Sequence, residues 1–107
     1  MLLAIDAGNT NTVFALIVED RIVERWRIST RDQRTYEEYA VWLSQLMNMQ
    51  GYDATDVDGA IIATVVPQVE FPLQRLCQKF FNVTPLIVGQ DGVDLGVKAN
   101  IDNVCLV

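Results

Sequence analysis

The stretch Asp6-Ala7-Gly8-Asn9-Thr10-Asn11-Thr12-Val13 combines residue types that suit a bound polyphosphate. An apolar run ends in Asp6, and Gly8 follows two residues on. Glycine has no Cβ, so the backbone can bend sharply and approach a phosphate closely. Successive amides after it can form an anion-binding concavity, and Thr10, Asn11 and Thr12 add short donors. Asp6 cannot itself bind phosphate. It could hold hydrated Mg²⁺, which would bridge phosphate oxygens. The same residues would also make an ordinary polar hairpin turn whose Asp and Asn satisfy their own backbone, so composition alone leaves both uses open.

The elements that must position this stretch are legible around it. Leu2–Ala7 reads as a short buried strand and Thr12–Val18, rich in β-branched and aromatic residues, as a second. Glu19-Asp20 is the next turn. In Arg21–Ile28, Ile22, Trp26 and Ile28 alternate with Arg21, Val23, Arg25 and Arg27, the pattern of a half-solvated strand. Thr35 with Glu38 three residues on forms a capping box, and Tyr36, Tyr39, Ala40, Leu43, Leu46 and Met47 recur at helical spacing up to Gly51, a left-handed cap. Gly59–Val66 is a nearly continuous apolar run, as expected of a central strand covered on both faces. Leu73, Leu76, Cys77 and Phe80 mark a second helix expected to start near Pro72, and Pro85–Val88 a last short strand. The order β-β-β-α-β-α-β predicts an α/β fold: a mixed β-sheet with helices on its faces.

Composition removes several function classes. The chain has 107 residues, 50% hydrophobic and 21% charged, which fits one soluble globular domain. Eight Lys and Arg against fourteen Asp and Glu leave a formal charge of −6. No nucleic-acid surface and no anionic-membrane surface is advertised. Phosphate must then be held locally, by backbone amides and a metal rather than a basic field. The absence of His excludes an imidazole base or a His-ligated metal within this chain. Cys77 and Cys105 match no metal spacing and read as reduced thiols. Met1–Ile5 has no basic flank and Asp6 cuts it short, so it reads as neither a signal peptide nor a membrane span, and the cytoplasm is the expected compartment. Neither the P-loop nor the G-x-G-x-x-G pattern is present. The loop of Asp53, Asp56 and Asp58 lacks the downstream bidentate Glu of a Ca²⁺ loop. Five of the eight basic residues fall in Arg21–Arg34, interleaved with Asp20, Glu24 and Asp32, which reads as a solvated hairpin face. Trp26 and Trp42 read as core or interface anchors.

Residues Asp6 to Phe14 resemble the phosphate loop of type III pantothenate kinases, members of the actin/hexokinase-like superfamily. Arg27-Ile28-Ser29-Thr30, Ala63-Thr64-Val65-Val66-Pro67 and Leu95-Gly96-Val97-Lys98 follow in the same order and at similar spacing. The resemblance implies half of a ribonuclease H-like, actin-like ATPase fold. It implies an enzyme that phosphorylates pantothenate from ATP in coenzyme A synthesis, with two α/β domains facing across a cleft. It further implies that Asp6 lies near Mg²⁺, that Asp6, Ala7, Gly8, Asn9, Thr10, Asn11, Thr12 and Val13 line the ATP phosphates, that a monovalent cation (K⁺ or NH₄⁺) is used, and that the enzyme is a homo-oligomer. The family's general base is the Asp of a Gly-Ala-Asp-Arg motif, and the Arg of that motif helps hold substrate. The segment leading to that motif would begin at Asp102-Asn103, but Val104 stands for its Pro and Leu106 for its Glu. A substrate-side Tyr expected near Ile101 is absent, and Ala15 stands where a Gly often closes the first motif.

The expectation is therefore that residues 1–107 form the N-terminal ATP-binding domain of a two-domain kinase. No catalytic residue lies in this chain, the second domain lies beyond Val107, and the chain alone should be inactive. A half cut from its partner should also self-associate through uncovered apolar surface. Two other readings share the loop: a non-catalytic nucleotide-binding or regulatory module, and a sugar or acetate kinase of the same superfamily. Val65-Val66-Pro67 and Leu95-Gly96-Val97 argue against the latter.

Overall fold

The computed structural model describes residues 1–31 and 33–88. Lys98, Ile101, Cys105 and the segment from Asp102 lie outside them. Five strands form one sheet: β1 (Leu2–Ala7), β2 (Asn11–Val18), β3 (Arg21–Ser29), β4 (Gly59–Thr64) and β5 (Leu86–Val88), in spatial order β3-β2-β1-β4-β5. β1 pairs antiparallel with β2 and parallel with β4. The first three strands make the expected meander, and its strand-to-strand return at Glu19-Asp20 puts both residues at positive φ, 52° and 65°. That is the backbone a two-residue type I′ hairpin demands. On β3 the alternation holds along the whole strand, with exposed Arg21, Val23, Arg25 and Arg27 against half-buried Ile22, Trp26 and Ile28.

Helix α1 (Tyr36–Met49) begins at the capping box seen in the sequence: the Glu38 amide donates to Thr35 Oγ1 at 3.2 Å and the Thr35 amide to Glu38 Oε1 at 2.8 Å. Gly51 follows its end with φ 87°. Helix α2 spans Pro67–Arg75, so it starts five residues earlier than expected. Both prolines are consistent with a helix start, but Pro67 occupies the first turn, where its missing N–H costs nothing. Pro72 sits inside and leaves the carbonyl four residues back without its usual donor. The helix then widens into a π-type turn over Leu76–Phe80, closed by the Phe81 amide donating to the Leu76 carbonyl at 3.2 Å.

Both described helices cover the same face of the sheet. Leu3, Ile5, Phe14, Leu16 and Ile62 pack there against Tyr39, Leu43, Met47, Val69, Leu73 and Leu76. Phe14 stacks edge-on against Trp42, 5.3 Å between ring centres, and tilts on Tyr39 at 5.8 Å. Trp42 and Trp26 are thus partly buried packing residues. The other face is smaller in texture, with Ala4, Ala15, Ala63, Ile61 and Val88 buried there. β4 contributes to both faces, as its continuous apolar run requires. No helix among the described residues is long and apolar enough to cross a membrane.

Candidate functional site

β1, β3 and β4 run parallel to one another, so their carboxyl ends lie along one edge of the sheet. The chain leaves that edge at Gly8, Thr30 and Val65, and the first turns of α1 and α2 follow closely in sequence. The edge is where ligands bind in open sheets of this kind.

The loop between β1 and β2 is closed by the Gly8 amide donating to the Asn11 carbonyl at 2.9 Å. A second clasp comes from Thr30, just past β3. Its amide donates to the Thr10 carbonyl at 2.9 Å and its hydroxyl to the Gly8 carbonyl at 2.8 Å. The Thr30 and Thr12 hydroxyls meet at 2.9 Å. Since Thr30 has one hydroxyl proton and gives it to Gly8, Thr12 is the donor in that pair. From the other side, Thr64 Oγ1 reaches the Ala7 carbonyl at 3.2 Å and takes the Val66 amide at 2.9 Å. That local turn ends β4 at Thr64 and directs the chain into α2.

The carbonyls of Ala7, Gly8, Thr10 and Asn11 are thus engaged, while the amides of Asn9 and Thr10 meet no acceptor among the described residues. Both residues are exposed. Gly8 does not adopt a left-handed backbone, and a Cβ there would meet the Asn11 carbonyl at an ordinary 3.5 Å. The bend itself therefore does not require glycine, contrary to the sequence-based argument; the missing side chain leaves the backbone approachable. Thr12 is fully buried with its hydroxyl committed to Thr30, so it shapes the loop from beneath. Ala7 is buried and Val13 half-buried. Asn11 is exposed at the start of β2.

Asp6 is half-buried on β1, directly across from Val13 and Ala63. By strand alternation it projects from the face opposite α1 and α2, one residue before the loop. The described residues contain no cluster of three or more acidic, Cys or His side chains. Any divalent ion here would rest on one carboxylate, water and ligand oxygens, the sparse protein coordination that Mg²⁺ accepts.

On the helix side of the loop lies a cleft of about 690 Å³, bordered by Asn9, Thr30, Arg31, Arg34, Glu38 and Gln68 among others. The charge interleaving of Arg21–Arg34 hid this. Arg21, Arg25 and Arg27 do form the exposed face expected of a solvated hairpin, but Arg31 and Arg34 border the cleft. The readable signal was that the period-two pattern stops at Ser29. The acidic loop is accounted for structurally. Asp53 caps the short turn Ala54–Asp56, and Asp58 pairs with the terminal amine at 2.9 Å, which lowers its pKa.

Comparison with known proteins gives this edge a family. The family model for type III pantothenate kinase matches residues 2–107. The chain belongs to the type III pantothenate kinase family. Curated relatives of that name include those of Paramagnetospirillum magneticum, 49% identical over 95% of this chain, and Sphingopyxis alaskensis, 51% identical over 95%. The chain spans 39% of the length of each. Among solved structures, a putative N-acetylglucosamine kinase from Porphyromonas gingivalis matches 83% of this chain with a TM-score of 0.57 and 19% identity. A RuvC from T. thermophilus, solved with a Holliday junction substrate, matches 96% with a TM-score of 0.56 and 11% identity. At such identities these two speak for the fold, the mixed α/β sheet expected from the sequence. The family match replaces the sugar or acetate kinase reading.

Proposed function

We propose that residues 1–107 form the ATP-binding half of a pantothenate kinase, a phosphotransferase whose second domain lies outside this sequence. The observation that carries the reading is the clasped loop: a backbone held from three sides, with the Asn9 and Thr10 amides left without acceptors among the described residues, at the end of the strand that carries Asp6. Donors fixed before the ligand arrives need no reorganisation when charge moves onto phosphate oxygens.

In this reading the Asn9 and Thr10 amides hold the polyphosphate and the exposed side chains of Thr10 and Asn11 border it. Thr12, Thr30 and Thr64 keep the loop in place. Asp6 would hold Mg²⁺, whose chemistry is to neutralise phosphate charge and fix the transferring group for in-line attack. The monovalent cation and the general base belong to the rest of the enzyme, as does a cytoplasmic, homo-oligomeric state. Exposed Val41, Met49 and Phe71 support a role for further chain or a second copy in covering the helices.

Isothermal titration of this chain with ATP, with and without Mg²⁺, tests the proposal. Saturable Mg²⁺-dependent binding is expected, with the Mg²⁺-dependent part lost in Asp6→Asn and no phosphorylation of pantothenate by this chain alone. Absence of ATP binding by a folded chain overturns the reading.

A further inference from the structure

The cleft beside the loop carries charge of the wrong sign for an acidic protein. Among the described residues, two arginines, Arg31 and Arg34, and one carboxylate, Glu38, border it in a chain of net charge −6. Glu38 makes no ion pair with either among the described residues, although its charge and that of Arg34 act on each other. Its carboxylate is committed to the Thr35 amide at 2.8 Å and the Thr35 hydroxyl at 3.2 Å. The ion pair among the described residues is the one between the terminal amine and Asp58, at the far end of the sheet.

Arg34 is also held still. Nη2 donates to the Ser29 carbonyl at 3.1 Å and lies 3.5 Å from its hydroxyl. The guanidinium carbon sits 5.8 Å from the centre of the buried Tyr39 ring. Nε and the Tyr39 hydroxyl are both buried without a well-formed hydrogen bond among the described residues; burial raises the Tyr39 pKa while the Arg34 guanidinium beside it, by charge and hydrogen bonding, opposes that rise. Nη1 has no acceptor among the described residues. A half-buried guanidinium oriented by a carbonyl and an aromatic ring, with its Nη1 donors unused, is set up for an anionic acceptor. Buried Nε can be met only from within, by the Tyr39 hydroxyl, whereas the Nη1 donors of a residue that borders the cleft point to an acceptor supplied from outside.

We propose that this cleft is an oxyanion subsite, with Arg34 as its fixed cation and exposed Arg31 as a second one. It extends the reading of the chain as the nucleotide half of a kinase, and rests on it for the candidate anions. The chemistry is that of a phosphate or carboxylate group, which two ligands could present: the polyphosphate of ATP or the carboxylate of pantothenate. Arg34 is thereby a specificity-determining residue separate from the backbone donors of the loop.

The test is ¹⁵N NMR of this chain, following the Arg34 Nε–H signal and the Asn9 and Thr10 amides during titration with tripolyphosphate, Mg·ATP and pantothenate in turn. A saturable shift of the Arg34 signal is expected. With tripolyphosphate or Mg·ATP it identifies a phosphate subsite, and with pantothenate alone a carboxylate subsite. Arg34→Gln should weaken the same ligand about tenfold, with Arg34→Lys between it and the parent because it keeps charge but loses the fork. Both variants are to be checked for an unchanged fold by amide spectra. If the loop amides shift and Arg34 does not, the subsite is refuted while the nucleotide reading stands. If neither responds, both fall. If Arg34→Gln unfolds the chain, the shift of the parent's Arg34 signal still decides.

Discussion

The two turns of the opening meander are both short and polar, yet they are built on opposite principles. Glu19-Asp20 closes β2 onto β3 by backbone geometry alone, with both residues at positive φ and no side-chain hydrogen bond from either. The Gly8–Thr10 loop has no residue at positive φ and is held by hydroxyl and amide donors from elsewhere, above all Thr30, which lies 22 residues from Gly8. A turn that satisfies itself needs no neighbours and offers nothing to a ligand. A turn that leaves amides free must be stabilised from outside. The comparison assigns strain to the first and dependence on neighbours to the second.

The largest effect should come from breaking that dependence. Thr30→Val keeps the shape but strands the Gly8 carbonyl and the Thr12 hydroxyl in a part-buried place. A loss of about 1–3 kcal/mol in urea unfolding is expected, together with weaker Mg·ATP binding. Thr30→Ser should restore most of both, since it keeps the hydroxyl. Equal affinity for Thr30→Val and the parent would break the link between clasp and donors. Thr12→Val should cost less, about 1 kcal/mol, because Thr30 still holds Gly8 directly. A cost above that of Thr30→Val would reverse the hierarchy.

The self-closed turn should respond in the opposite direction. A left-handed backbone costs about 1–2 kcal/mol at an ordinary L-residue and little at Asn or Gly. Glu19→Asn with Asp20→Gly should therefore stabilise the chain, by about 1 kcal/mol once the freer unfolded chain is discounted, with Mg·ATP affinity unchanged. Destabilisation by the pair would show that the turn is not strained as its φ angles indicate.

This contrast also explains what could be read from the sequence. Strands announced themselves by local pattern: alternation in Arg21–Ile28, an unbroken apolar run in Gly59–Val66. The α1 start did so through a capping box three residues wide. Those signals are local because the forces are local. The α2 start failed because Pro67 and Pro72 carry the same local meaning, and only packing of Val69 and Leu73 against the sheet decides between them. Asp6 to Val13 stands out as a candidate because a strand followed by a glycine and small polar residues is itself a local motif. The Thr30 clasp joins residues far apart in sequence and leaves no periodic trace. Arg31 and Arg34 were absorbed into a charge run whose first three arginines do face solvent. Cys77, which reads as a reduced thiol, is free and buried, and burial pushes its pKa up to about 12.

The smallest effect concerns the first turn of α1, which borders the same cleft as the loop but, like Glu19-Asp20, is satisfied within itself. Its hydrogen bonds to the Thr35 amide and hydroxyl hold the Glu38 carboxyl below the ordinary glutamate value. A carboxyl with a depressed folded pKa contributes stability that is fully present above its unfolded pKa and is lost as pH falls through the folded one. Below the ordinary glutamate pKa, then, the α1 first turn should loosen with a midpoint set by Glu38, visible as faster exchange of the Glu38 and Thr35 amides and abolished in Glu38→Gln. The Asn9 and Thr10 amides, already open to solvent, should not change over that window. If they follow the Glu38 titration, the loop depends on the α1 cap as well as on its threonines, and the division between self-closed and externally held turns is less sharp than the hydrogen bonds suggest.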